Sequence, residues 1–382
     1  MTSQSRVSGM FAVVLLAGSL PALALSYPVT AVTNQFDDYH GTRVADPYRW
    51  LEDDHSPATE AWVKAQNQLS LGYLAALPAR APIKERLTRL WNYERYGVPF
   101  KQGGRYFIAR NNGLQNQSVL YTMTTLTAEP VPLLDPNLLS TDGTVALAGY
   151  EVSDDGTLLA YGLSTAGSDW QDWKVRDVRT GLDLPDVIKW VKFSSASWTK
   201  DGRGFYYSRY DAPPAGVEFK AVNYFHKVYY HRLGTAQSAD TLVYQRPDQK
   251  EWEFTAAVTE DGHYLVFHVS HGTDTRNRVF YQALTATNSP VVELLTDFDA
   301  SYQFIDNDGS HFWFRTDLNA PRGKLIRVDL AHPERTGRKS CRNPPTGCKA
   351  RRWSITSSSS RISRTRTPRC ACSSWTAGRC AR

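Results

Sequence analysis

One unit recurs through the middle of this chain and limits what it can fold into. It is a turn holding Asp-Gly or Gly-Gly, followed by a strand of alternating or wholly apolar residues. It appears as KQGGRYFIARNN (101–112), SDDGTLLAYGLS (153–164), TKDGRGFYYSRY (199–210), TEDGHYLVFHVS (259–270) and DNDGSHFWFRTD (306–317). The turn glycines Gly104, Gly156, Gly202, Gly262 and Gly309 are 52, 46, 60 and 47 residues apart. Glycine accepts a positive φ at no steric cost, so Asp-Gly closes a tight hairpin. Between the units lie further strand-like runs such as SVLYTMTTL, KVYYHRL and RVFYQAL. Several strands per repeat of about 40–50 residues is the pattern of β-propeller blades. A β-sandwich with regular hairpins is the competing architecture, but it would not hold so even a repeat from Gly104 to Gly309.

Ahead of the repeats the period changes. Residues 27–55 read as an irregular polar and aromatic stretch. Ser56 can cap a helix with Pro57 at its first position, where a missing N–H costs nothing. Trp62, Ala65, Leu69, Tyr73 and Ala76 then keep a helical stripe until Pro78. A second helix is expected from about Pro82, with Ile83, Leu87, Leu90 and Trp91 on one face.

The two ends differ from the body. Arg6, the apolar run Phe11 to Leu20, Pro21 and Ala22-Leu23-Ala24 have the order of an export signal, cleaved before Leu25. The run is shorter than the roughly 20 residues a spanning helix needs. A buried core helix is the alternative. The expectation is an exported chain, periplasmic or secreted, with no membrane attachment once residues 1–24 are removed.

Residues 335–382 hold 13 Lys or Arg, no acid, and no Leu, Val, Phe or Tyr. They also hold all five cysteines, Cys341, Cys348, Cys370, Cys372 and Cys380, and the run Ser357-Ser358-Ser359-Ser360. Such a segment cannot bury enough apolar surface to offset its chain entropy, so a disordered tail is expected. The abrupt switch after GKLIRVDLAHPE suggests translation out of frame. A nucleic-acid-binding basic tail and a zinc site are weaker alternatives, since the tail has neither a C-x-x-C pair nor a histidine. The rest of the chain has 31 bases (44 less 13) against 38 acids. That acidic, cysteine-free body excludes a disulfide scaffold, a metal cluster and nucleic-acid binding as its main business. With 41% hydrophobic residues it has ample material for a core.

The segment DDYHGTRVADPYRWLED (37–53) closely resembles the N-terminal signature of the prolyl oligopeptidases. Further matching strings follow in order: YGLSTAGSDW (161–170), LPDVIKWVKFSSASWTKDGRGFYYSRYDAP (184–213), HKVYYHRLGTAQSADTLVY (226–244) and NRVFYQAL (277–284). The resemblance covers about residues 27–334. It implies an N-terminal segment packed on a C-terminal hydrolase domain, and a seven-bladed propeller that admits only short peptides. It also implies a serine endopeptidase that cleaves after proline with a Ser-Asp-His triad. The implied partners are short proline-containing peptides acting on a monomer without a cofactor.

The fold expected here is therefore mainly β. About five of seven blades fill residues 96–334, after a helical N-terminal segment at 25–95. The decisive motif is missing: no G-x-S-x-G nucleophile elbow occurs anywhere in the sequence. Ser164 in GLSTAG lacks the second glycine, and Ser195 has no activating neighbour by motif. None of the nine histidines sits in a triad motif, and each reads as an ordinary surface or sheet histidine. No catalytic, cofactor-binding or metal-ligating residue is assigned. The chain is expected to be the inactive N-terminal part of a peptidase. The alternatives are a non-catalytic propeller that binds peptides or proteins, and a basic-tail adaptor for anionic surfaces.

Overall fold

A computed structural model describes residues 25–214, 216, 222–286 and 288–333. The expectations for residues 1–24 and 335–382 lie outside the described residues. The chain forms two compact units, Met1–Trp91 and Asn92–Arg382.

The first unit is less irregular at its start than its composition suggested. Strands β1 (Phe36–Tyr39) and β2 (Thr42–Ala45) make an antiparallel hairpin. Its turn is fixed by the Gly41 N–H donating to Asp38 at 2.6 Å. Helix α1 (Pro57–Ala76) starts as the sequence indicated, with the Ser56 hydroxyl accepting the Thr59 N–H at 3.2 Å. Trp62 Nε1 donates to the Thr30 hydroxyl at 2.9 Å and ties the segment before β1 to the helix. Helix α2 (Arg80–Trp91) begins two residues before Pro82. A proline is tolerated there because first-turn N–H groups have no partner within the helix. Ile83, Leu87, Leu90 and Trp91 form the expected stripe, yet each is between 50% and 59% exposed.

The second unit is a series of five blades. The first contains β3 (Arg95–Tyr96), β4 (Phe100–Gln102), β5 (Arg105–Asn111), β6 (Val119–Met123) and β7 (Val131–Leu134), with β3 and β4 both paired to β5. The second contains β8 (Val145–Val152), β9 (Leu158–Thr165), β10 (Gln171–Asp177) and β11 (Asp183–Val191). The third contains β12 (Ser197–Trp198), β13 (Gly204–Arg209), β14 (Lys227–Arg232) and β15 (Thr241–Tyr244). The fourth is β16 (Trp252–Val258), β17 (Tyr264–His271), β18 (Arg278–Ala283) and β19 (Val291–Leu295). The fifth is β20 (Tyr302–Asp308), β21 (His311–Thr316) and β22 (Lys324–Asp329).

The five predicted turns join β4 to β5 in the first blade and the first strand to the second in each of the other four. All five glycines have positive φ, from 55° at Gly309 to 83° at Gly104. The blades are less uniform than four strands apiece. The fifth has three among the described residues, and the second and third join into one sheet through the pair Val191 and Arg209.

The core explains the long apolar strands. Four buried clusters each lie between consecutive blades. Phe107 and Leu120 meet Leu159 and Tyr161; Trp173 and Ile188 meet Trp198 and Phe205. Val228 meets Phe254 and Phe267, and Val266 and Val279 meet Phe312 and Phe314. A strand such as β17 is thus packed on both faces: Leu265 and Phe267 point to the third blade, Val266 to the fifth. Hence it reads as a continuous run rather than an alternation.

Candidate functional site

Within each of the second to fifth blades the Asp-Gly turn lies at one end and the loop between the second and third strands at the other. The loop end of the second to fourth blades carries a cluster of aromatic and charged side chains. Trp170 meets Trp190 edge-on at 5.7 Å and Tyr210 at 6.1 Å. The Lys192 ammonium sits 4.6 Å from the Trp170 ring centre and donates to Asn223 at 3.2 Å. Tyr210 stacks on His226 at 4.4 Å and donates its hydroxyl to Glu253 at 2.9 Å. Three bulky residues in this region have φ in the left-handed range: Trp190 at 62°, Phe193 at 53° and Phe225 at 62°. That conformation is costly for such side chains and tends to persist at working surfaces. Phe193 is 46% exposed and Phe225 43%, so both present apolar rings to solvent.

Beside them is a cleft of about 210 Å³ lined by Asp211, Phe225, His226, Lys227, Gln245, Arg246 and Pro247. Its cations are paired. Lys227 reaches Asp211 at 2.6 Å. Arg246 clamps Asp248 with two bonds of 2.8 and 2.7 Å and reaches Glu293 at 2.6 Å. The bonds to Arg246 hold the Asp248 carboxyl well below the usual carboxylate range. His226 is buried, its Nδ1 accepts the Phe254 N–H at 3.0 Å, and burial pushes it down to about 3. It is therefore a neutral ring that fixes the cleft wall. The arrangement offers ring faces and paired charges, which suits holding an extended chain.

The serines singled out from the sequence are not brought to this site as nucleophiles. Ser164 Oγ, in β9, donates to the Ser168 carbonyl at 2.7 Å, and Ser195 accepts at its carbonyl from Ser194 Oγ at 3.2 Å. Among the described residues, the histidine nitrogens that make hydrogen bonds face Phe254, Asp186, Asp240 and Glu251, not a hydroxyl. Among the described residues no group of three or more His, Cys, Asp or Glu is placed to hold a metal. Two histidines are buried: His226, just before β14, is 1% exposed and His231, within β14, is 0% exposed. The signal available was their place around one strand rich in Val and Tyr, in the run HKVYYH.

Residues 27–342 match the model of the prolyl oligopeptidase N-terminal β-propeller domain. The chain belongs to the prolyl oligopeptidase family. It is 38% identical over 311 residues to the prolyl endopeptidase of Elizabethkingia miricola, covering 81% of this chain and 44% of that protein. It is 33% identical over 343 residues to prolyl oligopeptidase A of Amanita bisporigera, covering 81% and 45%. Among solved structures it is similar to prolyl oligopeptidase B from Galerina marginata bound to a 25-residue macrocyclization substrate. There the TM-score is 0.71 at 30% identity, covering 80% of this chain and 46% of that one. The chain spans less than half the length of these relatives. The family match includes the propeller and the α1–α2 segment alike, so the loop-end cluster belongs to the part that prolyl oligopeptidases share.

Proposed function

We propose that this chain is the N-terminal part of a prolyl oligopeptidase, a serine endopeptidase that cleaves short peptides after proline. The propeller acts as the gate that admits short proline-containing peptides, and the aromatic loop end faces them. The chain as it stands is inactive, because nucleophile, base and oxyanion donors belong to a hydrolase domain encoded further on. The observation that carries this reading is the match along residues 27–342 together with coverage of only 44% of the related endopeptidase.

Two uncovered surfaces support it. The α2 stripe of Ile83, Leu87, Leu90 and Trp91 suits a hydrolase domain, and Trp313 and Leu325 on the outer face of the fifth blade suit a following blade. In the same reading residues 1–24 direct export to the periplasm or medium, the working protein is a monomer, and residues 335–382 are out-of-frame translation.

The test pairs the chain as given with a version whose reading frame is restored after Glu334. Only the restored chain should cleave a fluorogenic proline peptide and take up a serine-directed fluorophosphonate. Turnover by the chain as given, abolished by mutating one of its own serines, would overturn the proposal.

A further inference from the structure

His231 lies in β14 of the third blade and is fully buried. Both of its ring nitrogens face carboxylates: Nδ1 is 2.7 Å from Asp240 Oδ1 and Nε2 is 3.0 Å from Asp186 Oδ1. Asp240 precedes β15 in the same blade, whereas Asp186 belongs to β11 of the second blade. Both carboxylates are themselves anchored as acceptors. Asp186 Oδ1 takes the Gly234 N–H at 2.6 Å, and Asp240 Oδ2 takes the Tyr207 hydroxyl at 2.7 Å. A neutral imidazole has one N–H and would aim a lone pair at the other carboxylate in a site without water access. Two donors facing two acceptors are satisfied only by the doubly protonated ring.

We propose that the charged imidazole of His231, held between Asp186 of the second blade and Asp240 of the third, locks these two blades into one rigid pair and releases them when it loses its proton. The ionisable groups against the ring are those two aspartates and Tyr207, whose hydroxyl caps Asp240; Phe205 packs on its face at 5.3 Å. Burial opposes the charge, but the bonds to Asp240 and Asp186 outweigh it and hold the imidazole above its ordinary pKa. The lock is therefore closed in acid and neutral solution and opens as pH rises past that elevated value.

A second tie runs beside it and does not titrate. Gln237 accepts the Lys189 N–H at 3.0 Å and donates to the Lys189 carbonyl at 2.9 Å, joining the third blade to β11 as a strand residue would. Charge crosses another junction too, where Arg246 after β15 meets Glu293 of β19 at 2.6 Å, but that pair is partly exposed while the His231 contacts are buried.

The test is nitrogen-resolved NMR of the full chain from pH 5 to 9, with amide exchange at Gly234 and Lys189. Both ring nitrogens of His231 should carry protons at pH 7. Protection of the two amides, taken relative to the intrinsic base-catalysed exchange at each pH, should fall together by about tenfold or more as the ring deprotonates. His231→Gln and Asp186→Asn should remove that pH response, while Gln237→Ala should speed exchange equally at every pH. If the variants do not fold, the wild-type series decides alone. A singly protonated ring at pH 7, or exchange at Gly234 that ignores the ring's titration, overturns the lock.

Discussion

The fourth and fifth blades are built on the same register but sit in different surroundings. Counting four residues past the turn glycine gives Val266 in one and Trp313 in the other. Each is paired across the ladder, to Tyr281 and Arg327 respectively. Val266 is 4% exposed and Trp313 39%; the neighbouring-strand residues Val279 and Leu325 are 1% and 42%. The fourth blade has a blade on each side, and the fifth has one only on the side of Phe312 and Phe314 among the described residues. The strand sequences record this difference only partly. The fifth blade keeps Trp313 and Leu325 on its open face, where arginines Arg315 and Arg327 flank them. A face that keeps large apolar side chains is shaped for a neighbour, and the proposed function supplies one.

The largest effect should separate the two faces of a single strand. Phe314→Ala, on the packed face of β21, should destabilise the propeller by about 3–5 kcal/mol through a cavity in a filled core. Trp313→Ala, one residue earlier on the open face, should cost about 1 kcal/mol or less. Urea unfolding of both variants checks this, and equal losses would mean that the open face is covered after all.

Next in size, two buried histidines five residues apart should respond oppositely to pH. His231 has a raised folded pKa, so its stabilisation is complete below the unfolded value of about 6.5 and fades as pH climbs through the folded value. His226, depressed to about 3, does the reverse. Its stabilisation is complete above about 6.5 and drains away as pH falls toward 3. Breaking the buried pair with Asp240→Asn should cost about 3–5 kcal/mol at neutral pH. Thermal melts across pH for wild type, His231→Gln and His226→Gln resolve the two contributions by their opposite slopes.

A smaller effect belongs to the first unit. Ser56→Ala removes the acceptor for the Thr59 N–H and should weaken α1 by about 1 kcal/mol, read as lost helical circular dichroism. The smallest is Leu87→Ser on the α2 stripe, which should change the stability of this chain by no more than about 0.5 kcal/mol. In a frame-restored protein the same substitution should cost several times more, because the stripe would then be buried. An unchanged cost in that background would argue against a domain packed on α2.

Much of the architecture was legible beforehand because it is written in local chemistry. Asp-Gly, or Gly-Gly in the first blade, fixes a turn through the conformational freedom of one residue, so all five turns could be placed. Ser56 followed by Pro57 fixes a helix start for a similarly local reason. The hairpin at 36–45 was missed, since its strands FDDY and TRVA carry neither a β-branched run nor a buried face. The early start of α2 was missed because Pro82 looks like a boundary and is in fact a permitted first-turn residue. The loop-end site was not foreseen at all. Trp170, Trp190, Tyr210, His226 and Glu253 lie as much as 83 residues apart in sequence and meet only where three blades come together.

Sequence by itself thus determined the repeat, the period of the strands, the capped helix and the lack of a nucleophile elbow in this chain. Each of these depends on residues a few positions apart, whose φ angles or side-chain spacing act without help from the rest of the fold. Tertiary structure alone decided which faces are buried, which loops converge, and what becomes of the two histidines of HKVYYH. His226, just before β14, and His231, within it, are the same side-chain type five residues apart. Yet one is neutralised by burial against Tyr210 and Phe254, and the other is charged between Asp186 and Asp240. The reason is electrostatic: the cost of a buried charge depends on whether an opposite charge reaches it within hydrogen-bond distance, and Asp186 arrives from 45 residues away.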